Sequence, residues 1–194
     1  GSGKSTLINI LLGLLDVKSE SIYVDDYDVS KNLKQWQKLI GFVSQNIFLK
    51  NDTILNNIVF GIPEEQLDYD RIQECLKLSN LDDFVNKLPN KLQTEVGERG
   101  IRLSGGQLQR IGIARALYEN PDIIIFDEAT SALDFETEKE VLKSINTLRN
   151  EKTIIMVTHR INNLREFDKI FFMEDGKVIK SGGYNELSKE GILS

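Results

Sequence analysis

The sequence predicts an α/β fold: a mostly parallel sheet flanked by helices, with a helical subdomain inserted. Three observations predict it. "DIIIFDE" and "KTIIMVTH" are nearly unbroken apolar runs, the pattern of strands buried on both faces of a parallel sheet. Between them, "DFETEKEVLKSINTLRNE" puts Val141, Leu142, Ile145 and Leu148 on one helical face. From about residue 46 to 117 the texture changes and the chain reads as mainly helical. Strand–helix–strand units with right-handed crossovers give a parallel sheet covered by helices.

The elements follow in order. "STLINILLGLLD" carries apolar residues at helical spacing and predicts a helix over about 5–15. "SIYVDDYDVS" reads as a short strand and a turn, and "WQKLIGFVSQ" ends in a strand over about 40–44. Thr53 in "NDTILNNIVFG" is a candidate helix cap. "DYDRIQECLKLSNLDDFVNKLP" holds two short amphipathic helices, with Pro89 stopping the second. "SGGQLQRIGIARALYENP" is a longer helix that ends before Pro121. "DKIFFMEDGKVIKSG" alternates around Asp175-Gly176, a dipeptide favoured in type I′ hairpin turns. The sequence shows neither internal repeats nor low-complexity segments.

Composition narrows the function. The net charge is −6 and basic residues are interleaved with acids, so no nucleic-acid partner is expected. Cys75 is the single cysteine; an internal disulfide is impossible, which fits a reducing compartment. It occupies an apolar helical position, that of a buried, inert thiol. The longest apolar runs, "LLGLL" and "IIIF", fall far short of the about 20 residues a membrane span needs. The chain itself is not expected to cross a membrane.

Three stretches carry chemistry. In Gly1-Ser2-Gly3-Lys4-Ser5-Thr6, backbone N–H groups of a glycine-rich turn form a concave anion site, and the following helix adds its positive end. Lys4 places a cation on β- and γ-phosphates, and Ser5 offers a hydroxyl to Mg²⁺. The full motif needs a glycine three positions before Gly1, so the chain is expected to begin inside the loop. In "IIIFDE", Asp127 and Glu128 end a buried strand, where ligands of a parallel sheet bind. Asp127 would orient Mg²⁺ and Glu128 would act as base on the attacking water; two plain surface acids are the alternative.

The third stretch is Leu103-Ser104-Gly105-Gly106-Gln107. Ser104 and Gln107 have capping-box spacing, so a simple helix start remains open. Its two glycines nevertheless let a phosphate approach bare N–H groups. Two phosphate-reading helix starts in one chain suggest two subunits sharing one nucleotide. Three single residues complete the set. Gln45 follows a buried strand, with its amide placed near the metal and the water. His159, the only histidine, ends another strand, where a γ-phosphate contact is favoured over a structural role. Asp134 is a candidate helix cap with a possible subunit-interface role.

In order, "GSGKST", Gln45 in "SQ", "LSGGQLQR", "IIIFDEATSALD" and "VTHR" resemble the nucleotide-binding domain of an ATP-binding cassette transporter, and they cover nearly the whole chain. "LSGGQ" is the most specific of them. The run Gly97-Glu98-Arg99-Gly100 resembles a loop of exporter-type cassettes that touches the membrane domain. The resemblance implies a P-loop NTPase-like fold, with 1–45 and 111–194 as ATP-binding core and 46–110 as helical subdomain. It implies ATP and Mg²⁺ as cofactors, with Ser5, Gln45 and Asp127 toward the metal. Two cassettes would pair head to tail, with ATP held by residues 1–6, Gln45, Asp127 and His159 of one and by 103–107 of the other. Catalysis would rest on Glu128, with Gln45 and His159. The partners implied are a second such domain and a transmembrane domain, contacted near Gln45 and Gly97–Gly100, at the cytoplasmic face of a membrane, most simply a bacterial inner membrane.

Two positions depart from the family pattern: Glu20 and Asp26 stand where glycines are common. The aromatic residue that usually stacks on adenine is not in this sequence. Two other readings compete. A soluble cassette ATPase acting on nucleic acid or ribosomes would bring a coiled-coil insert, or a second cassette with basic linkers, and neither is visible. A silent binding domain would not keep Lys4, Glu128 and His159.

Overall fold

The computed structural model of the chain describes residues 2–16, 18, 21–100 and 102–193. Gly1 and Glu20, both singled out above, lie outside the described residues. The elements are α1 (Lys4–Leu11), β1 (Tyr23–Val24), β2 (Tyr27–Asp28), α2 (Leu33–Lys38), β3 (Ile40–Val43), α3 (Ile54–Ile58), α4 (Tyr69–Leu78), α5 (Asp82–Lys87), α6 (Gly105–Tyr118), β4 (Ile123–Asp127), α7 (Phe135–Asn146), β5 (Thr153–Val157), β6 (Ile170–Glu174), β7 (Lys177–Gly182) and α8 (Tyr184–Lys189). The chain packs as two units, residues 1–40 with 156–194, and residues 41–155. Among the described residues no helix is long and apolar enough to cross a membrane.

In the first unit, α1 stops about four residues earlier than the apolar spacing predicts. The reason is Gly13 at φ 67. Its N–H bonds to the Ile10 carbonyl at 3.0 Å, and the Leu14 N–H reaches back to Asn9 at 2.8 Å. This pair of bonds is the Schellman helix stop. Leu14 and Leu15, which extended the apolar run, are exposed. Helix α2 takes up the carbonyls left at the end of α1: Trp36 Nε1–H donates to Leu11 O at 2.6 Å and Gln37 Nε2 to Leu12 O at 3.0 Å. Between β1 and β2 the turn is Asp25-Asp26, with φ 48 and 65. Asp26 thus does adopt the positive φ that a glycine would take easily, and Asp25 joins it. Strands β6 and β7 form the expected antiparallel hairpin, with Asp175 at φ 47 and Gly176 at φ 74. Two positive φ values are what a type I′ turn requires.

A three-stranded parallel sheet, most of it in the second unit, has the order β3-β4-β5, joined from β4 to β5 through α7. Central strand β4 is the apolar run of the sequence, and Ile124, Ile125 and Phe126 are fully buried. Strand β5 differs from expectation: Ile154, Ile155, Met156 and Val157 are only half-buried. It lies at the edge of this sheet. Helix α6 is the organiser of the unit. It packs on α3 and α4 and buries Ile111, Ile113, Ala114 and Leu117. A Cβ on Gly112 would stand 2.5 Å from Ile47 Cδ1, so the Ile47 side chain would have to shift to admit one.

The predicted helix boundaries are otherwise chemical. Thr53 accepts the Asn56 N–H at 3.1 Å and caps α3. Pro89 follows α5 by two residues. Asn120, at φ 52, turns the chain out of α6 before Pro121. Arg71 from α4 donates to the Leu117 and Tyr118 carbonyls, satisfying the end of α6. Cys75 is buried, and burial pushes its thiol up to about 11, so it carries no thiolate near neutral pH.

Candidate functional site

The loop before α1 is built by Gly3, at φ 89 and ψ 3. A residue with a side chain is disfavoured there twice over. The left-handed backbone costs a non-glycine residue about 1–2 kcal/mol, and a Cβ would lie 2.9 Å from Gly176 Cα. The Gly176 N–H also donates to Ser2 O at 3.1 Å. The tip of the β6–β7 hairpin therefore supports the loop, a role the sequence did not reveal because 170 or so residues separate the partners. Lys4 Nζ donates to Ser2 Oγ at 2.6 Å, and Ser5 and Thr6 are exposed. The first N–H groups of a helix have no intrahelical partner, and Gly3 offers no side chain to take one. In the same unit His159 is exposed, two residues beyond β5 rather than at its end.

The second unit brings together Gln45 and Glu128. Gln45 sits two residues past β3, and its Nε2 donates to Glu128 Oε2 at 3.1 Å. Asp127 is the last residue of β4. Glu128, the next, has φ 50. Such a conformation persists in a glutamate only where the surroundings fix it. Ser131 N–H closes the turn on Glu128 O at 3.1 Å. Asp134 caps α7, accepting from Thr137 N–H at 3.0 Å and Thr137 Oγ1 at 2.7 Å. Those bonds hold its carboxyl below the ordinary value of 3.8.

The same unit carries residues 103–107. Ser104 Oγ accepts the Gln107 N–H at 3.2 Å, and Gln107 Oε1 accepts the Ser104 N–H at 2.9 Å. The capping box is thus complete, and both residues already have partners. Leu103 closes a turn by donating its N–H to Gly100 O at 2.9 Å. Gly97 and Gly100 take φ 76 and 73 and are buried, with Glu98 exposed between them. Gln109 was not singled out by the sequence. It is buried, and bonds to residues 131 and 132.

The pattern described as ABC transporter matches residues 1–131. The chain belongs to the ABC transporter family. It corresponds to that family's ATPase domain. It is 41% identical over 188 residues to an ATP-dependent lipid A-core flippase of Methylobacillus flagellatus, covering 96% of this chain and 32% of the flippase. It is 41% identical over 188 residues to ABC transporter ATM1 of Toxoplasma gondii, covering 96% of this chain and 16% of that protein. The chain thus spans a third or less of the length of these curated relatives. Its fold matches the structure of a bacterial Atm1-family ABC exporter with ATP bound, with a TM-score of 0.91 and 34% identity, over 99% of this chain and 34% of that one.

Family membership makes this ABC domain a nucleotide-binding one. The donors expected toward a metal are a hydroxyl (Ser5), an amide (Gln45) and a carboxylate (Asp127). All are oxygen ligands of the kind Mg²⁺ takes, and Mg²⁺ commonly completes its shell with phosphate and water. Among the described residues no cluster of three or more His, Cys, Asp or Glu forms an all-protein metal cage. A phosphate-borne Mg²⁺ needs none.

Proposed function

We propose that this ABC domain is the ATP-hydrolysing motor of an exporter, working as one half of a head-to-tail pair. The observation that carries the proposal is the Gln45–Glu128 bond at the C-terminal end of β4, with Glu128 held at φ 50. A carboxylate there, bonded to an amide able to orient a water, is the arrangement a general base needs. Residues 1–6 would seat the phosphates, Lys4 neutralising charge on the β- and γ-phosphates. Ser5, Gln45 and Asp127 would hold Mg²⁺, which, when bound, screens the charge of the transferring phosphoryl group. His159 would contact the γ-phosphate. Residues 103–107 would close on a nucleotide held by the other cassette.

The functional division follows: 1–45 and 111–194 form the ATP-binding core, and 46–110 the helical subdomain. The transmembrane domain would dock near Gln45 and Gly97–Gly100. Two exposed aromatic residues, Phe48 and Phe60, support a docking face close in sequence to Gln45. Lys50 Nζ and Arg115 Cζ each lie 5.3 Å from the Phe60 ring centroid and hold it in place. The complete protein would then sit at the cytoplasmic face of a membrane, a bacterial inner membrane being the simplest case, and move a lipid, glycan, peptide or similar cargo. The names of the relatives, transporters and flippases, do not favour a soluble ATPase acting on nucleic acid or ribosomes.

Phosphate release by the complete protein and its Glu128→Gln variant tests the proposal. Loss of a general base lowers kcat by about 10²–10⁴-fold while ATP still binds. Unchanged release from the variant would remove Glu128 as the base.

A further inference from the structure

Gln109 lies on α6, two residues past Gln107, and its side chain is buried. Its Oε1 accepts the Ala132 N–H at 3.0 Å, and its Nε2 donates to Ser131 Oγ at 3.3 Å. Ser131 in turn donates its N–H to the Glu128 carbonyl at 3.1 Å, and Glu128 Oε2 accepts from Gln45. A continuous run of hydrogen bonds therefore leads from α6, through the turn at 131–132, to the backbone of Glu128. The glycines of the helix start face the same turn. A Cβ on Gly105 would stand 3.3 Å from Ala132 Cβ, and one on Gly106 3.4 Å from Leu133 Cδ2. The turn rests on α6 through two side-chain bonds and two bare glycine faces.

Glu128 keeps a left-handed backbone that its own chemistry disfavours. Something nearby must fix it, and the 131–132 turn is bonded directly to it. We propose that Gln109 is a positioning residue that couples helix α6 to Glu128. On the reading of the shared ATP site, α6 serves one nucleotide and Glu128 another, so Gln109 ties the seating of the first to the geometry of the base at the second. The inference rests on that reading. Residues 2–4 are held by a separate set of bonds, among Ser2, Lys4 and Gly176, so a change at Gln109 acts on turnover and leaves the phosphate seat intact.

The test uses the complete protein, with phosphate release and ATP affinity measured in parallel. Gln109→Met keeps the length of the side chain and removes both bonds. Gln109→Glu keeps an acceptor for the Ala132 N–H and can accept from the Ser131 hydroxyl. Losing both hydrogen bonds is expected to lower kcat about tenfold in Gln109→Met, with the ATP Kd unchanged within about twofold and activity largely restored in Gln109→Glu. Ser131→Ala, at an exposed position, removes the hydroxyl that accepts from Gln109. It gives a smaller loss of kcat at unchanged Kd, and it decides the matter if Gln109→Met fails to fold. Equal losses in Gln109→Met and Gln109→Glu, a parallel loss of ATP affinity, or wild-type kcat in Ser131→Ala would each overturn the positioning role. Absence of phosphate release from the wild-type protein would instead remove the ATPase reading, and the proposal with it.

Discussion

Helices α1 and α6 both begin at glycine-rich turns, and both look like phosphate seats in the sequence, yet they complete their first turns differently. At α1 the N-cap is Gly3, which has no side chain to fill the first N–H groups. At α6 the N-cap is Ser104, whose hydroxyl takes the Gln107 N–H while Gln107 takes the Ser104 N–H. One helix start has no side-chain cap and carries a lysine; the other is capped by its own side chains. The difference teaches which of the two can act alone. An anion seated on α1 displaces no side-chain cap. An anion seated on α6 competes with a cap worth about 1 kcal/mol. On the proposed reading, helix α1 is the primary seat and α6 the second half of a site completed by a partner.

The largest effect that separates the two starts is expected at Lys4. Lys4→Met removes a charge-assisted bond to phosphate, about 1.5–3 kcal/mol, or about tenfold to a hundredfold in Kd. Titration of the complete protein with ATP measures it, and an unchanged Kd would mean that α1 is not the seat. Ser104→Ala sharpens the contrast. It should leave ATP affinity of a single cassette unaltered and cost about 1 kcal/mol of stability, lowering Tm by about 2–4 °C. A loss of single-cassette ATP binding in that variant would erase the distinction between the two helices.

The smallest effect concerns a third helix start, at α7. Its cap Asp134 has a carboxyl pK held below 3.8 by the Thr137 bonds. Its unfolded-state value is higher, so the unfolded chain binds the proton more readily. The stabilisation is therefore fully present above pH 3.8 and is lost as pH falls through the lower folded value. Melting curves above and below that window should show a steeper acid-side loss for the wild type than for Asp134→Asn. Parallel losses in the two would exclude the cap as the cause.

Much of this was legible in the sequence wherever the cause is local. Thr53, Asp134 and the Ser104–Gln107 box cap their helices as their spacing predicts. The Asp175-Gly176 turn has the backbone its dipeptide favours. The burial of Cys75 and of β4 follows from their apolar patterns. Where the sequence misled, a local rule met a competing one. The apolar run "LLGLL" extends past the end of α1, but Gly13 offers the left-handed stop, and Leu14 and Leu15 are left exposed. "TIIMVT" reads as fully buried, yet it is an edge strand and only half-covered. What could not be read at all is long-range. Neither the Gly176–Ser2 bond nor the Gln109 bonds to 131 and 132 have a signal in spacing or composition. The φ of Glu128 likewise has no signal in the sequence.

The central claim is that one nucleotide needs α1 of one cassette and α6 of another. Sedimentation of the complete cassette carrying Glu128→Gln, with and without ATP, tests it most directly, because the variant holds ATP without turning it over. The account predicts a monomer mass without ATP and twice that mass with it. The same mass in both conditions would contradict the shared site.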